Sequence, residues 1–206
     1  MKIVRIIIVV CSWVLGQQAA AQNQWAFELW HTGKVVLDTG DTLRGLVKYD
    51  LQNDIIQLNA NNKLESYTAR KVLLFEIFDE TVKRYRNFYS LPFAAAGQYK
   101  APVFFELLVE GKLTVLAREA IELRTVSSPY YYYGTYTRPV LVHKYFVLKE
   151  NGGIEEFRGK KNDWLDLMPG RSDDVERYAK KNRLNFDNKY ELARIVEFYN
   201  SLFSKN

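Results

Sequence analysis

Four glutamates, Glu106, Glu110, Glu119 and Glu122, fall on or beside stretches that read as β-strands. Two carboxylates facing each other across a cleft could act as acid and base on a glycosidic bond, but nothing in the spacing selects a pair. The histidines of the chain body, His31 and His143, lie more than a hundred residues apart. A metal site built on them would need a third ligand from Asp or Glu, and no local pattern such as His-Glu-x-x-His supplies one. Each is read as a structural histidine, so neither a metal nor a cofactor is expected. No glycine-rich phosphate loop follows a strand and no Gly-x-Ser-x-Gly elbow is present. No catalytic residue is assigned.

Two strings carry more local information. Val35-Val36-Leu37-Asp38-Thr39-Gly40 has the hydrophobic-Asp-Thr-Gly form of aspartic peptidases. Those need a second aspartate so that two carboxyls share one proton. No second Asp-Thr-Gly or Asp-Ser-Gly occurs, and the string reads equally as a hairpin turn with Gly40 free to take positive φ. The other is Tyr130-Tyr131-Tyr132-Tyr133-Gly134-Thr135-Tyr136, closely followed by Arg138. Exposed tyrosines offer a broad apolar face with a polar tip, suited to protein interfaces and sugar stacking. Tyr130, Tyr131, Tyr132, Tyr133, Tyr136 and Arg138 are therefore the candidate binding residues, against the plainer alternative that half the rings pack onto a sheet.

The chain start has the three parts of an export leader: Lys2 and Arg5, an apolar stretch from Ile6 to Leu15, and the small-residue site Ala19-Ala20-Ala21. Residues 1–21 are expected to be removed, leaving Gln22 first. The apolar stretch is about half of the roughly 20 residues a membrane-spanning helix needs. The sole cysteine, Cys11, lies inside that stretch rather than at the cleavage site, which disfavours a lipid anchor. Without it the chain has no disulfide, thiolate ligand or cysteine nucleophile. The leader takes Lys2 and Arg5 and no acid, so 29 basic residues become 27 against 24 acidic ones. That near-balance, with only the small clusters Lys83-Arg84-Arg86 and Arg158-Lys160-Lys161 (both read as solvated surface), argues against nucleic acid as a partner.

The elements that would position these residues are mostly strands. Aromatic residues form 15% of the chain and hydrophobic ones 48%, enough for a real core. Strands are expected at 34–37, 42–49, 54–59, 64–68, 71–78 and 83–89, joined by turns rich in Asp, Asn and Gly. Such close spacing predicts an antiparallel meander over 22–90 that curls or closes into a small barrel. Residues 91–102, with Pro92, Gly97 and Pro102, read as a linker. The second part, 103–206, continues with strands at 103–109, 112–117, 121–126, 140–149 and 154–158, and Ser127–Pro139 reads as a tyrosine-rich loop. The period then changes from two to 3.6. Helices are expected over 161–168, from Ser172 as N-cap to about Lys181, and after Asp187 or Asn188. Leu192, Ile195, Val196, Tyr199 and Leu202 form the apolar stripe of the last helix. The fold class is α+β: a mostly antiparallel sheet with C-terminal helices.

Two stretches carry a resemblance. They are Gly33-Lys34-Val35-Val36-Leu37 with Gly40-Asp41-Thr42-Leu43 and Gly45-Leu46-Val47, and the tail Tyr178-Ala179-Lys180-Lys181-Asn182 with Ile195-Val196-Glu197-Phe198-Tyr199-Asn200-Ser201-Leu202. Together they resemble uncharacterised secreted proteins of Bacteroidota. The resemblance implies a periplasmic or envelope location and brings no functional residue with it. The first stretch also resembles the opening strands of Sm-like or PRC-type barrels, folds that usually bind rather than catalyse. The expected function is an exported, non-catalytic module that binds an envelope protein or a glycan. The alternative is a carboxylate-dependent hydrolase acting on envelope or polymeric material.

Overall fold

A computed structural model describes residues 25–94, 97, 99–127 and 135–203. The expected leader, residues 1–21, and the tyrosines at 130–133 lie outside the described residues. A 3-10 turn, Ala26–Glu28, precedes ten strands: β1 (His31–Leu37), β2 (Thr42–Asp50), β3 (Ile55–Ala60), β4 (Lys63–Thr68), β5 (Val72–Asp79), β6 (Arg84–Phe93), β7 (Ala101–Val109), β8 (Thr114–Ser127), β9 (Thr135–Leu148) and β10 (Ile154–Phe157). Three helices follow: α1 (Lys161–Asp166), α2 (Ser172–Lys181) and α3 (Lys189–Ser201). All ten strands form one sheet in the order β10-β9-β8-β7-β6-β5-β1-β2-β3-β4, and every pairing is antiparallel.

The N-terminal half curls without closing. In the sheet β5 lies four strand spacings from β4, about 19 Å if flat, yet Ala69, Arg70 and Lys71 alone join Thr68 to Val72. Four residue steps reach at most about 14 Å, so the strip from β5 to β4 must bend. It wraps a core of Val35, Val47, Tyr49, Ile56, Leu58, Phe75, Ile77 and Phe88, in which Phe75 and Phe88 stack at 4.4 Å. The small barrel expected from the strand spacing is nevertheless not formed. The sheet has two free edges, β4 and β10, because β5 pairs onward to β6 and carries the sheet into the second half.

Several expected boundaries move. Residues 91–93 and 101–102 of the expected linker are paired strand, Phe93 with Ala101. The expected strands at 112–117 and 121–126 are one strand, β8. Thr135–Pro139, read as loop, belongs to β9 and pairs with β8 from Ser127 to Leu123. Ser172 is the first residue of α2 rather than its N-cap; that position is held by Arg171, which makes no side-chain capping bond. Asn188 does cap α3: its side chain accepts from the Tyr190 and Glu191 amides.

The helices cover one face of the second half. Trp164, Met168, Val175, Ala179, Leu192, Ile195 and Val196 pack on Val109, Val115 and Val147. Tyr178 of α2 stacks on Phe198 of α3 at 4.0 Å. Both ends of α3 are tied to the sheet. At its C-terminal end Asn200 accepts from the Leu113 amide (2.8 Å) and donates to the Leu113 carbonyl (2.9 Å), completing the β7–β8 turn as a strand would. At its N-terminal end Lys189 reaches Glu106 on β7.

Candidate functional site

Where β5 to β9 meet the start of α3, the sheet carries charge on the face it buries. Arg86 shares a face with Phe88, Glu106 with Phe104, and Glu119 with Ala117, since side chains two apart on a strand point the same way. Register then brings them together: Phe88 faces Glu106, Glu106 faces Ala117, and Glu119 faces His143. Arg86 is 3% exposed and uses its whole fork. Its Nε and Nη2 donate to the two Glu106 oxygens at 2.9 and 2.7 Å. Nη2 also donates to Glu119 at 2.6 Å, and Nη1 donates to Asp79 (2.9 Å) and to the Tyr49 hydroxyl (2.8 Å). Tyr49 in turn donates to Glu119 at 2.9 Å. Lys189 donates to Glu106 at 3.0 Å and stands 3.8 Å from Glu119. Asp79 accepts on its other oxygen from the Thr81 amide and hydroxyl.

Three carboxylates and two cations, none more than 8% exposed, therefore share one cluster, with one negative charge in excess. Burial alone would raise the Glu106 carboxyl, but the attraction of Arg86 and Lys189 overcomes it and holds the group down at about 2. Burial pushes the Tyr49 phenol well up, so it stays a donor. Burial also pulls the Lys189 ammonium down against the attraction of Glu106. That cation sits in the first turn of α3, where the helix dipole disfavours it, so its place depends on Glu106. Among the described residues no buried side-chain nitrogen or oxygen lacks a partner.

Beside this cluster lies a pocket of about 400 Å³. Trp25, Leu141, His143, Asn188 and Tyr190 line it together with Asp79, Arg86, Glu119 and Lys189. His143 is held below its ordinary range, first by burial and then by Lys189, so its ring is neutral at pH 7. Its Nε2 is 3.8 Å from Glu119, too far for a hydrogen bond, and the Glu119 oxygens already accept from Arg86 and Tyr49. The pair is not an assembled acid–base dyad. His31, the other histidine, is buried and its Nε2 lies 2.7 Å from the Ala26 carbonyl. A carbonyl only accepts, so that nitrogen carries the proton and the ring anchors the 3-10 turn.

The other sequence candidates lie apart. Asp38 is in the exposed β1–β2 turn, paired with Lys71 at 3.4 Å, while Gly40 at φ 92° closes the turn onto the Leu37 carbonyl. Glu110 and Glu122 are exposed. Among the described residues no group of three or more His, Cys, Asp or Glu could hold a metal ion. Arg86, read as part of a solvated basic cluster, is the centre of the buried one. Its signal was present in its phase with Phe88, as was that of Glu106, a lone carboxylate inside Val103–Leu108.

Tyr136 and Arg138 stand on β9 in a different setting. Strand β7 pairs with β8 at Val115, Leu116 and Ala117, and β10 pairs with β9 only from Tyr145 to Leu148. Beyond these points β8 and β9 pair only with each other, from Glu119 with His143 out to Ser127 with Thr135. From Ile121 outward this two-stranded ribbon exposes both faces, whereas Glu119 at its root is buried. Ile121 and Leu123 lie on the face that carries Glu119 further in, and Leu123 is 74% exposed. Arg124, Tyr136 and Arg138 lie on the other. Tyr130, Tyr131, Tyr132 and Tyr133, at the turn between the strands, are outside the described residues. No family model, no curated protein and no solved structure matches the chain.

Proposed function

We propose that this chain is an exported, non-catalytic interaction module that presents the β8–β9 ribbon to a partner protein. The observation that carries the reading is the exposure of that ribbon. A two-stranded hairpin without a third strand or a packed face is marginal in water, yet this one places Ile121 (41% exposed) and Leu123 on one face and Tyr136 (50% exposed) on the other. Aliphatic side chains on a protruding ribbon suit a protein surface better than a glycan, which would stack on aromatic rings. The leader at 1–21 supports export. The hydrolase reading finds less support in the carboxylates. Glu106 and Glu119 are bound to Arg86, and Glu122 is exposed beside Arg124.

The test is a photo-crosslinking amino acid placed at Leu123 and, as a control, at Leu73, which is 51% exposed on β5. In intact cells the first should yield a discrete protein adduct and the second none. Equal labelling from both positions, or no adduct from Leu123, would overturn the ribbon as the binding element. An adduct carrying carbohydrate would replace the protein partner by a glycan. Sequencing the recovered chain should begin at Gln22, and a retained Met1 would refute export.

A further inference from the structure

The ribbon's faces differ in charge as well as in polarity. Opposite the Leu123 face, Arg124 stands directly across from Arg138. Side chains so placed begin about 5 Å apart at Cβ, and like charges there weaken a sheet. Little offsets the repulsion. Glu122 reaches Arg124 only at 3.4 Å, with both side chains about half in solvent. Among the described residues no carboxylate pairs with Arg138. Arg118, further in on the same strand and the same face, shows the contrast: it donates to Asp54 at 2.8 Å and to the Phe104 and Leu51 carbonyls.

We propose that Arg124 and Arg138 form a two-pronged carboxylate clamp, and that the partner segment docking on the ribbon carries an Asp or Glu residue with uncharged neighbours. This rests on the ribbon being the binding element. A carboxylate between two guanidinium groups accepts charge-assisted hydrogen bonds from both, and it turns a repulsion carried by the free chain into two attractions. Tyr136, on the same face beside Arg138, adds an apolar wall with a polar tip. The composition of the face favours a short acidic peptide over a polyanion or a membrane. Glu122 lies on it, opposite Val140, so the positive patch is no larger than the Arg124–Arg138 pair and fits a single side-chain carboxylate with uncharged neighbours at Glu122, not a continuous track of phosphates. A bilayer would meet one face of the ribbon only and leave the Leu123 face in water.

The test uses the mature chain and a labelled extended peptide of alternating Glu and Val, with its Gln-for-Glu counterpart, polyphosphate and phosphatidylglycerol vesicles as comparison probes. The Glu peptide should bind, bind at least tenfold more weakly to Arg138→Thr and to Arg124→Thr, and weaken as salt is raised. The Gln peptide should bind no better than to those variants. Both variants should melt at or above the parent temperature, because each removes one of two opposed like charges. That separates a clamp from a structural pair, whose loss would lower the melting temperature together with binding. Equal binding of Glu and Gln peptides, tighter binding of polyphosphate or vesicles, or unchanged binding by both variants would overturn the proposal. If the Leu123 adduct forms equally in Arg138→Thr, the ribbon remains the binding element and the clamp fails alone.

Discussion

Glu119 and Arg124 stand on the same strand and meet opposite electrostatic circumstances. At Glu119, just past the last β7 pairing, the charge is one of five in a buried cluster, bonded to Arg86 and 3.8 Å from Lys189 of α3. At Arg124 the hairpin has left the body, and its charge faces another of the same sign. The inner half is organised so that each group is needed by the others. The outer half is left unneutralised where solvent screens the repulsion. Buried charge persists in a fold only with its partners present, whereas exposed, opposed charge is tolerated at small cost. The inner half therefore reads as architecture, and the outer half as a surface with capacity left for a partner.

Breaking the inner half should give the largest effect. Arg86→Met leaves Asp79, Glu106 and Glu119 without their shared cation, and loss of one partner from a buried ionic network costs about 3–5 kcal/mol. Urea unfolding followed by tryptophan fluorescence should show that loss, or no folded baseline at all. Replacing all five charged residues, Asp79, Arg86, Glu106, Glu119 and Lys189, together by apolar residues of similar volume should recover much of it, since such groups can stand in for a complete buried ion set. A midpoint unmoved by Arg86→Met would mean that water screens the cluster, and the contrast between the two halves would go with it.

Acid should come next. The folded Glu106 carboxyl titrates at about 2, below the ordinary range near 4.3. A depressed carboxylate stabilises the fold fully above its unfolded value and loses that contribution as pH falls through the folded one. Stability should drop most steeply between about pH 4.5 and 2, by roughly 3 kcal/mol from this group. His143, also depressed by burial, works in the same direction: below about pH 6.5 the unfolded chain takes up a proton before the folded chain does. The decline should therefore begin near pH 6.5 and deepen below 4.5. Glu106→Gln should flatten the lower part of the curve and spare the upper. Arg138→Thr touches neither Glu106 nor His143 and should leave the shape of the curve unchanged.

How much of this contrast was readable beforehand depended on what local signals encode. The turns at 38–41 and 61–62 were legible because Gly and Asn take positive φ most readily, and Gly40, Asn61 and Asn62 have it. The helix at 172–181 was legible from its 3.6 period. The open sheet was not, because hydrophobic alternation reports strands and not their order. The pairing of β5 with both β1 and β6 is what keeps the sheet from closing. The unity of β8 was hidden by Arg118-Glu119-Ala120, which reads as an interruption if charged residues belong outside. Arg118 is bound to Asp54 in the β2–β3 turn and Glu119 to Arg86, partners supplied by sequence distances that no local window contains. Of the site candidates, the tyrosines and Arg138 were visible as composition, while Arg124 becomes notable only once register sets it opposite Arg138.

The finest test compares one residue type on one strand. Leu116 and Leu123 both lie on β8, the first 1% exposed within the Phe105 and Phe146 cluster, the second 74% exposed on the ribbon. Leu116→Ala removes packed methyl groups and should cost about 2–5 kcal/mol. Leu123→Ala removes little that is buried and should stay within about 0.5 kcal/mol of the parent. The second value decides more than the first. A ribbon held up by its own side chains would register the loss of Leu123 in the unfolding midpoint. One held up by its backbone ladder and kept for docking would not, and would lose partner capture instead. A stability loss above about 1 kcal/mol at Leu123 would place that side chain in a packed contact with the body and leave the ribbon as a part of the fold rather than a surface it offers.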